Sequence, residues 1–349
     1  MMSIGWPGPI LRDPATNVPR IKKACPKAML TKQVHPWMLG NEPVSATDPQ
    51  SPAISIRGLT KRYGSLTALN DLNLDVVQGE VLGFLGLNGA GKTTAIRLLL
   101  DLLRPTSGAA SIFGHDCWLD GLAARARVGY LPGELGIYPD LTGLEVLDFL
   151  AGLKRQPVDK ERRQELVERL ELPQRDLRRK LRQYSTGMKR KLGLIQAFEG
   201  DPPLLILDEP TEGLDPLMQE SFYSLLKEAR QRGRTVFMSS HVLSEVERVC
   251  DRIALLRKGE LVLLTGLEAL RGLTARRVRV VFSREVLAPA GLPPGHEFLE
   301  TAPRCWRLEV TGPLGPLLTA LAGLPVEDLE VREARLEDVV LKYYREGKP

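Results

Sequence analysis

The nine residues Gly86-Leu87-Asn88-Gly89-Ala90-Gly91-Lys92-Thr93-Thr94 narrow the possible folds more than any other feature of the chain. Gly86 and Gly91-Lys92-Thr93 satisfy G-x-x-x-x-G-K-[ST], a match expected by chance about once in 100 chains of this size. Glycines let the backbone curl so that successive N–H groups converge on phosphate oxygens. Lys92 then reaches the β- and γ-phosphates, and the Thr93 hydroxyl ligates Mg²⁺. The apolar run 81–85 reads as a buried strand and Thr94 to Leu100 as a helix, whose N-terminus favours an anion. A flexible glycine turn needs neither flank. Alone, the run predicts a P-loop nucleotide-binding fold and nothing narrower.

The strand-then-helix pattern recurs downstream. Ile54 to Arg57 and Leu72 to Val76 alternate as strands do, and the runs 204–207, 235–238 and 253–256 are short and apolar. Helical periodicity separates them, which predicts an α/β core with a mostly parallel sheet. Residues of about 140–200 read as helical, giving an inserted helical subdomain at about 130–200. After Gly266 the runs 278–282 and 306–310 read as strands, and Leu314 to Leu324 and Leu336 to Tyr344 as helices. The expected organisation is a leader at 1–52, a nucleotide-binding domain at 53–265 and a small C-terminal α+β appendage at 266–349. The leader carries prolines at 7, 9, 14, 19, 26, 36, 43, 49 and 52 and holds neither periodicity, so it reads as disordered. A wrongly included upstream start would leave the same signature. The first residues lack a charged n-region followed by an apolar h-region, so they do not read as a signal peptide.

Composition excludes little else. No stretch approaches the ~18 consecutive apolar residues of a membrane helix, so any membrane role would be played from outside the bilayer. The net charge of +5 is spread along the chain and reads as a solvated surface, and no nucleic-acid partner is expected. Arg178 to Arg182 is read the same way, with contact to acidic loops or lipid heads as the alternative. Cys25, Cys117, Cys250 and Cys305 form no CxxC pair and lack histidines at metal-ligand spacing, which favours reduced thiols.

Two acids end the run Leu204 to Leu207. Asp208 at a strand's C-terminal end can hold Mg²⁺ beside the phosphate loop, and Glu209 can polarise the water that attacks a γ-phosphate. An acidic turn after a core strand would look similar without the glycine loop upstream. About twenty residues before these acids lies Tyr184-Ser185-Thr186-Gly187-Met188-Lys189. Gly187 near the start of a helix over Met188 to Phe198 would expose free N–H groups beside a hydroxyl. That makes a second anion site or an ordinary helix cap.

In this order the motifs resemble those of the ABC transporter ATPase family. Gly86 to Thr94 resembles its Walker A, and Leu204 to Glu209 its Walker B with the catalytic Glu. Tyr184 to Met188 stands in the place of its LSGGQ signature. Glu212-Gly213-Leu214-Asp215 is similar to its D-loop and Ser239-Ser240-His241 to its switch-histidine loop. Tyr63 occupies the adenine-stacking position, a core aromatic being the alternative. The resemblance covers about residues 54–265. The appendage, with its closing Leu336 to Leu341, resembles the bacterial drug-export branch that includes bacitracin- and daunorubicin-resistance subunits.

The resemblance implies an ABC-type ATPase that binds ATP and Mg²⁺. Tyr63 and Gly86 to Thr94 would hold nucleotide, Thr93 and Asp208 would hold Mg²⁺, and Glu209 and His241 would be catalytic. Ser185, Thr186, Gly187 and Met188 of a second copy would close the site, with Asp215 in the D-loop between. One cassette per chain implies a homodimer serving a separately encoded permease at the cytoplasmic face of the cell membrane, with drug or antibiotic export as the expected task. Three departures stand out. Gly133, followed by Glu134, occupies the point where the family carries Gln, and Glu134 is assigned a weakened version of that role. Thr186 and Met188 replace Gly and Gln in the signature, and Glu212 replaces Ser.

Overall fold

The computed structural model describes residues 51–136, 139–153, 158–272, 276–289, 291 and 293–333. The expected leader, apart from residues 51 and 52, and the expected helix from Leu336 to Tyr344 lie outside the described residues.

The described chain opens with β1 (Ile54–Tyr63) and β2 (Leu66–Val76), a hairpin registered from Ile54 against Val76 to Tyr63 against Leu66. β3 (Val81–Leu85) runs through the glycine loop into α1 (Lys92–Leu99), and β4 (Ser107–Ile112) and β5 (His115–Asp116) follow. α2 (Gly121–Ala126) and β6 (Val128–Leu131) precede the helical segment. That segment holds α3 (Gly143–Leu153), α4 (Lys160–Arg169), α5 (Gln174–Leu177), a 3₁₀ turn at Leu181–Gln183 and α6 (Thr186–Phe198). Then come β7 (Leu204–Asp208), α7 (Pro216–Gln231), β8 (Thr235–Ser240), α8 (Leu243–Val249), β9 (Arg252–Arg257), β10 (Glu260–Gly266) and α9 (Leu267–Gly272). The last described elements are β11 (Arg276–Phe282), β12 (His296–Ala302), β13 (Cys305–Val310), α10 (Gly315–Leu321) and β14 (Val326–Glu333).

The central sheet has the order β10-β9-β3-β8-β7-β6. Its inner pairings are parallel and only β10 runs antiparallel, on β9. Every residue of β3, β7 and β8 is buried, as strands covered on both faces must be. Alternate side chains feed two different cores. Leu204 and Ile206 of β7 join α1 and the first hairpin, whereas Leu205 and Leu207 join α6, α7 and α8. Phe84 and Phe237 stack across β3 and β8 with ring centroids 5.1 Å apart. The strand order places the C-terminal ends of β3, β7 and β8 side by side, so the glycine loop, Asp208 and His241 issue from one edge.

A second sheet, β2-β1-β4-β5, is antiparallel throughout and was not expected from the sequence. It lies over α1, contributing Ile54, Ile56, Leu72 and Ile112 to the same core. A third antiparallel sheet, β12-β13-β11-β14, has a core of its own in which Val278, Val280, Phe282, Trp306 and Leu308 pack with α10. Among the described residues no helix is long and apolar enough to cross a membrane.

The helical segment is held by charge as well as by leucines. Arg163 of α4 donates to Asp148 of α3 and to buried Glu199 at the end of α6. Arg169 makes a bidentate pair with Glu228 of α7, at 2.7 and 2.6 Å.

Candidate functional site

The glycine loop closes over the edge of the central sheet. Gly86 N–H donates to Ser240 carbonyl at 3.2 Å, and Ala90 N–H to Leu87 carbonyl at 3.0 Å. Gly91, the cap of α1, has φ of 111°, and a Cβ there would lie 2.6 Å from Ala68 carbonyl oxygen. Only glycine fits, since both the dihedral and the close approach exclude a side chain. Leu87, Asn88 and Gly89 are exposed at the tip, whereas Ala90 and Lys92 are buried.

Lys92 is where the charges converge. Its ammonium donates to Gly86 carbonyl at 2.6 Å and lies 3.1 Å from Glu209 Oε1. The other Glu209 oxygen, Oε2, is 2.9 Å from His241 Nδ1. Glu209 has φ of 49°, in the left-handed region where a non-glycine residue is strained. That backbone turns the carboxylate out of the strand line of β7, between a lysine and a histidine. His241 is exposed on its outer side.

Asp208 is the buried partner of this cluster, 1% exposed. Ser239 Oγ donates to its Oδ1 at 2.6 Å, and Thr93 Oγ1 donates to the same atom at 3.4 Å. Ser239 Oγ also accepts from Glu209 N–H at 3.0 Å. Ser239 falls in the expected switch-histidine loop with no role of its own foreseen there, and it is the strut between both acids. Asp208 Oδ2 is buried and has no hydrogen-bond partner among the described residues. An orphaned carboxylate oxygen beside a threonine hydroxyl is the hard-oxygen donor set that Mg²⁺ takes, so the residues fit that ion.

The segment after β6 carries the two residues expected at the glutamine position. Gly133 faces Asp208, since a Cβ on it would lie 3.3 Å from Oδ2. Glu134 is exposed, and its carboxylate makes no hydrogen bond or ion pair among the described residues.

The remaining expected residues lie elsewhere. Ser185 caps α6, its Oγ accepting from Met188 N–H at 3.2 Å, so the helix starts at Thr186 and not at Met188. A Cβ on Gly187 would meet Gly213 carbonyl at 2.8 Å, which places the start of α6 against the loop around Gly213 of the same chain. Asp215 caps α7 by accepting from Met218 N–H at 3.0 Å. Among the described residues no hydrogen bond or ion pair joins Ser185, Thr186, Gly187 or Met188 to the Lys92–Asp208–Glu209–His241 cluster. Thr94 lies half-buried in the first turn of α1. Tyr63 ends β1, 45% exposed, with Lys61 Nζ 5.0 Å from its ring centroid.

Residues 69–212 match a family described as ABC transporter. An uncharacterized ABC transporter ATP-binding protein of Nostoc sp. is 42% identical over 59% of this chain, and the match spans 62% of that protein's length. The bacitracin transport ATP-binding protein of Bacillus licheniformis is 40% identical over 61% of this chain and 69% of its own. The daunorubicin resistance ATP-binding protein of Streptomyces coeruleorubidus is 35% identical over 83% of this chain and 95% of its own. Among solved structures, a dimeric ATP-binding cassette in a post-hydrolysis state with ADP and Pi shares 26% identity. Its TM-score is 0.56, over 61% of this chain and 98% of that one.

Proposed function

The chain belongs to the ABC transporter ATP-binding family, and from that membership we propose that two copies enclose ATP and couple its hydrolysis to export through a separate membrane permease. The observation that carries the reading is the row Lys92–Glu209–His241, a carboxylate held between two nitrogen groups beside the phosphate loop.

The chemistry follows from charge. A triphosphate in the glycine loop presents more negative charge to Lys92 than one carboxylate does, so the ammonium turns from Glu209 to the β- and γ-phosphates. Glu209 is then free to accept a proton from an attacking water, and His241 holds that carboxylate while contacting the γ-phosphate. Thr93 and Asp208 would hold Mg²⁺, which would supply positive charge against the phosphates. Tyr63 would stack on adenine. Asn88, Gly89, Ala90 and Thr94 would complete the phosphate cradle.

A second copy supplies what one chain does not bring together. Ser185 to Met188 form the start of a 13-residue helix, and this N-terminus would approach the γ-phosphate held by the partner copy. Asp215 keeps the neighbouring D-loop in place. The dimeric cassette among the similar structures supports this arrangement. The bacitracin transport and daunorubicin resistance relatives support a drug or antibiotic as the cargo, and the chain would act in its export from the cytoplasmic face of the membrane. The segment around Gly133 would face the permease.

Lys92→Ala tests the nucleotide site. Its ATP affinity is expected to fall at least about tenfold, the cost of losing one charge-assisted contact. Parental affinity would remove the basis of the reading. Co-purification of the chain with a multi-span membrane protein tests the transport half.

A further inference from the structure

Arg190 sits on α6, just past the signature residues, and is only 4% exposed. Its guanidinium donates to four backbone carbonyls. Nη1 reaches Pro132 at 3.0 Å and Asp208 at 3.3 Å, Nη2 reaches Gly133 at 2.8 Å, and Nε reaches Glu212 at 3.2 Å. These carbonyls belong to three places: the segment leaving β6, the end of β7 and the loop before α7.

The parallel ladder between β6 and β7 ends at Leu131 against Leu207. Beyond it, among the described residues, no backbone hydrogen bond joins residues 132–133 to residues 208–212. Arg190 supplies the connection where the ladder stops. A planar fork with five donors can satisfy several carbonyls at once in a fixed arrangement, which an ammonium cannot. Burial strips this cation of its hydration, and the carboxylates of Glu212, Asp208 and Glu209 offset part of that cost. Among the described residues its one ion pair is with Glu212, 3.5 Å away and 63% exposed. A buried cation directed at loop carbonyls is costly for stability alone. What it fixes is the placement of Gly133 beside the unpartnered oxygen of Asp208.

We propose that Arg190 is a positioning residue for hydrolysis: it holds Asp208 and the Gly133 segment in one arrangement without touching the nucleotide. The inference rests on the ATPase reading above. It also gives a physical account of how the site manages with glycine at position 133, since the link between the two segments runs through backbone carbonyls.

The test uses the full chain with Arg190→Met, Arg190→Gln and Arg190→Lys, and Glu209→Gln as a parallel control. Three quantities are measured: ATP affinity without Mg²⁺, kcat, and the Mg²⁺ concentration giving half-maximal turnover. Arg190→Met and Arg190→Gln are expected to keep ATP affinity within about threefold, lose at least about tenfold in kcat, and need at least about fivefold more Mg²⁺. Arg190→Lys should fall between them and the parent. Parental kcat and Mg²⁺ requirement in any folded Arg190 variant would overturn the proposal. So would a loss of ATP affinity that keeps step with kcat, which marks a purely structural role. If Arg190→Met does not fold, the lysine variant decides: intermediate kcat with parental affinity supports the role, and parental kcat overturns it. A parent without turnover would instead overturn the ATPase reading itself, and this inference with it.

Discussion

At the scale of single residues, the site depends on a few groups that each hold two others. Ser239 is the clearest case, donating to Asp208 and accepting from Glu209 while fully buried. Ser239→Ala removes the bond to Asp208 Oδ1 and frees the Glu209 N–H. The expected stability loss is about 1–3 kcal/mol, the cost of stranding buried polar groups. Turnover should fall on the order of tenfold to a hundredfold, because the acids lose their spacing; steady-state kinetics with thermal unfolding would check both. Lys92, Asp208 and Glu209 were legible in the sequence because their chemistry needs a fixed order of residue types. Ser239 and Arg190 were not, because their partners are backbone or far along the chain. The lesson at Gly133 and Glu134 is similar: the family resemblance singled out both residues, but only the fold shows that the glycine faces Asp208.

At the scale of elements, β3, β7, β8 and β9 were legible because unbroken apolar runs of this length suit only buried strands. β10 and β14 were not. Each lies at a sheet edge, and β14 reads Val-Glu-Asp-Leu-Glu-Val-Arg-Glu, where charge obscures the alternation. The helical segment shows why polar residues must be read in pairs. Arg163 looks like a surface residue among the charges of α4, yet it bridges α3 and α6 from a buried position. Arg163→Ala leaves Glu199 buried without its partner, so a loss of about 3–5 kcal/mol is expected in chemical denaturation. Glu228 provides a pH test. The Arg169 guanidinium holds the Glu228 carboxyl below its ordinary value of 4.5. Its contribution is therefore complete above the unfolded value and lost as pH falls through the lowered folded value. The parent should exceed Glu228→Gln by about 0.5–1 kcal/mol at neutral pH. The two should converge below the carboxylate range, and a difference that persists there would count against the pair.

At the scale of the whole molecule, the order of strands in the central sheet does most to make the site. It brings the ends of β3, β7 and β8 together, and with them Lys92, Asp208, Glu209 and His241. Ser185 to Met188 stay at the start of α6, with Gly187 against Gly213 of the same chain. That separation is why the account requires a second copy. The most direct test is sedimentation of Glu209→Gln with ATP and Mg²⁺, with turnover measured on the same sample. The account predicts an ATP-dependent dimer whose turnover is lower than the parent's by at least about two orders of magnitude. A protein that stays monomeric at saturating ATP, or that turns over near the parental rate, would contradict it.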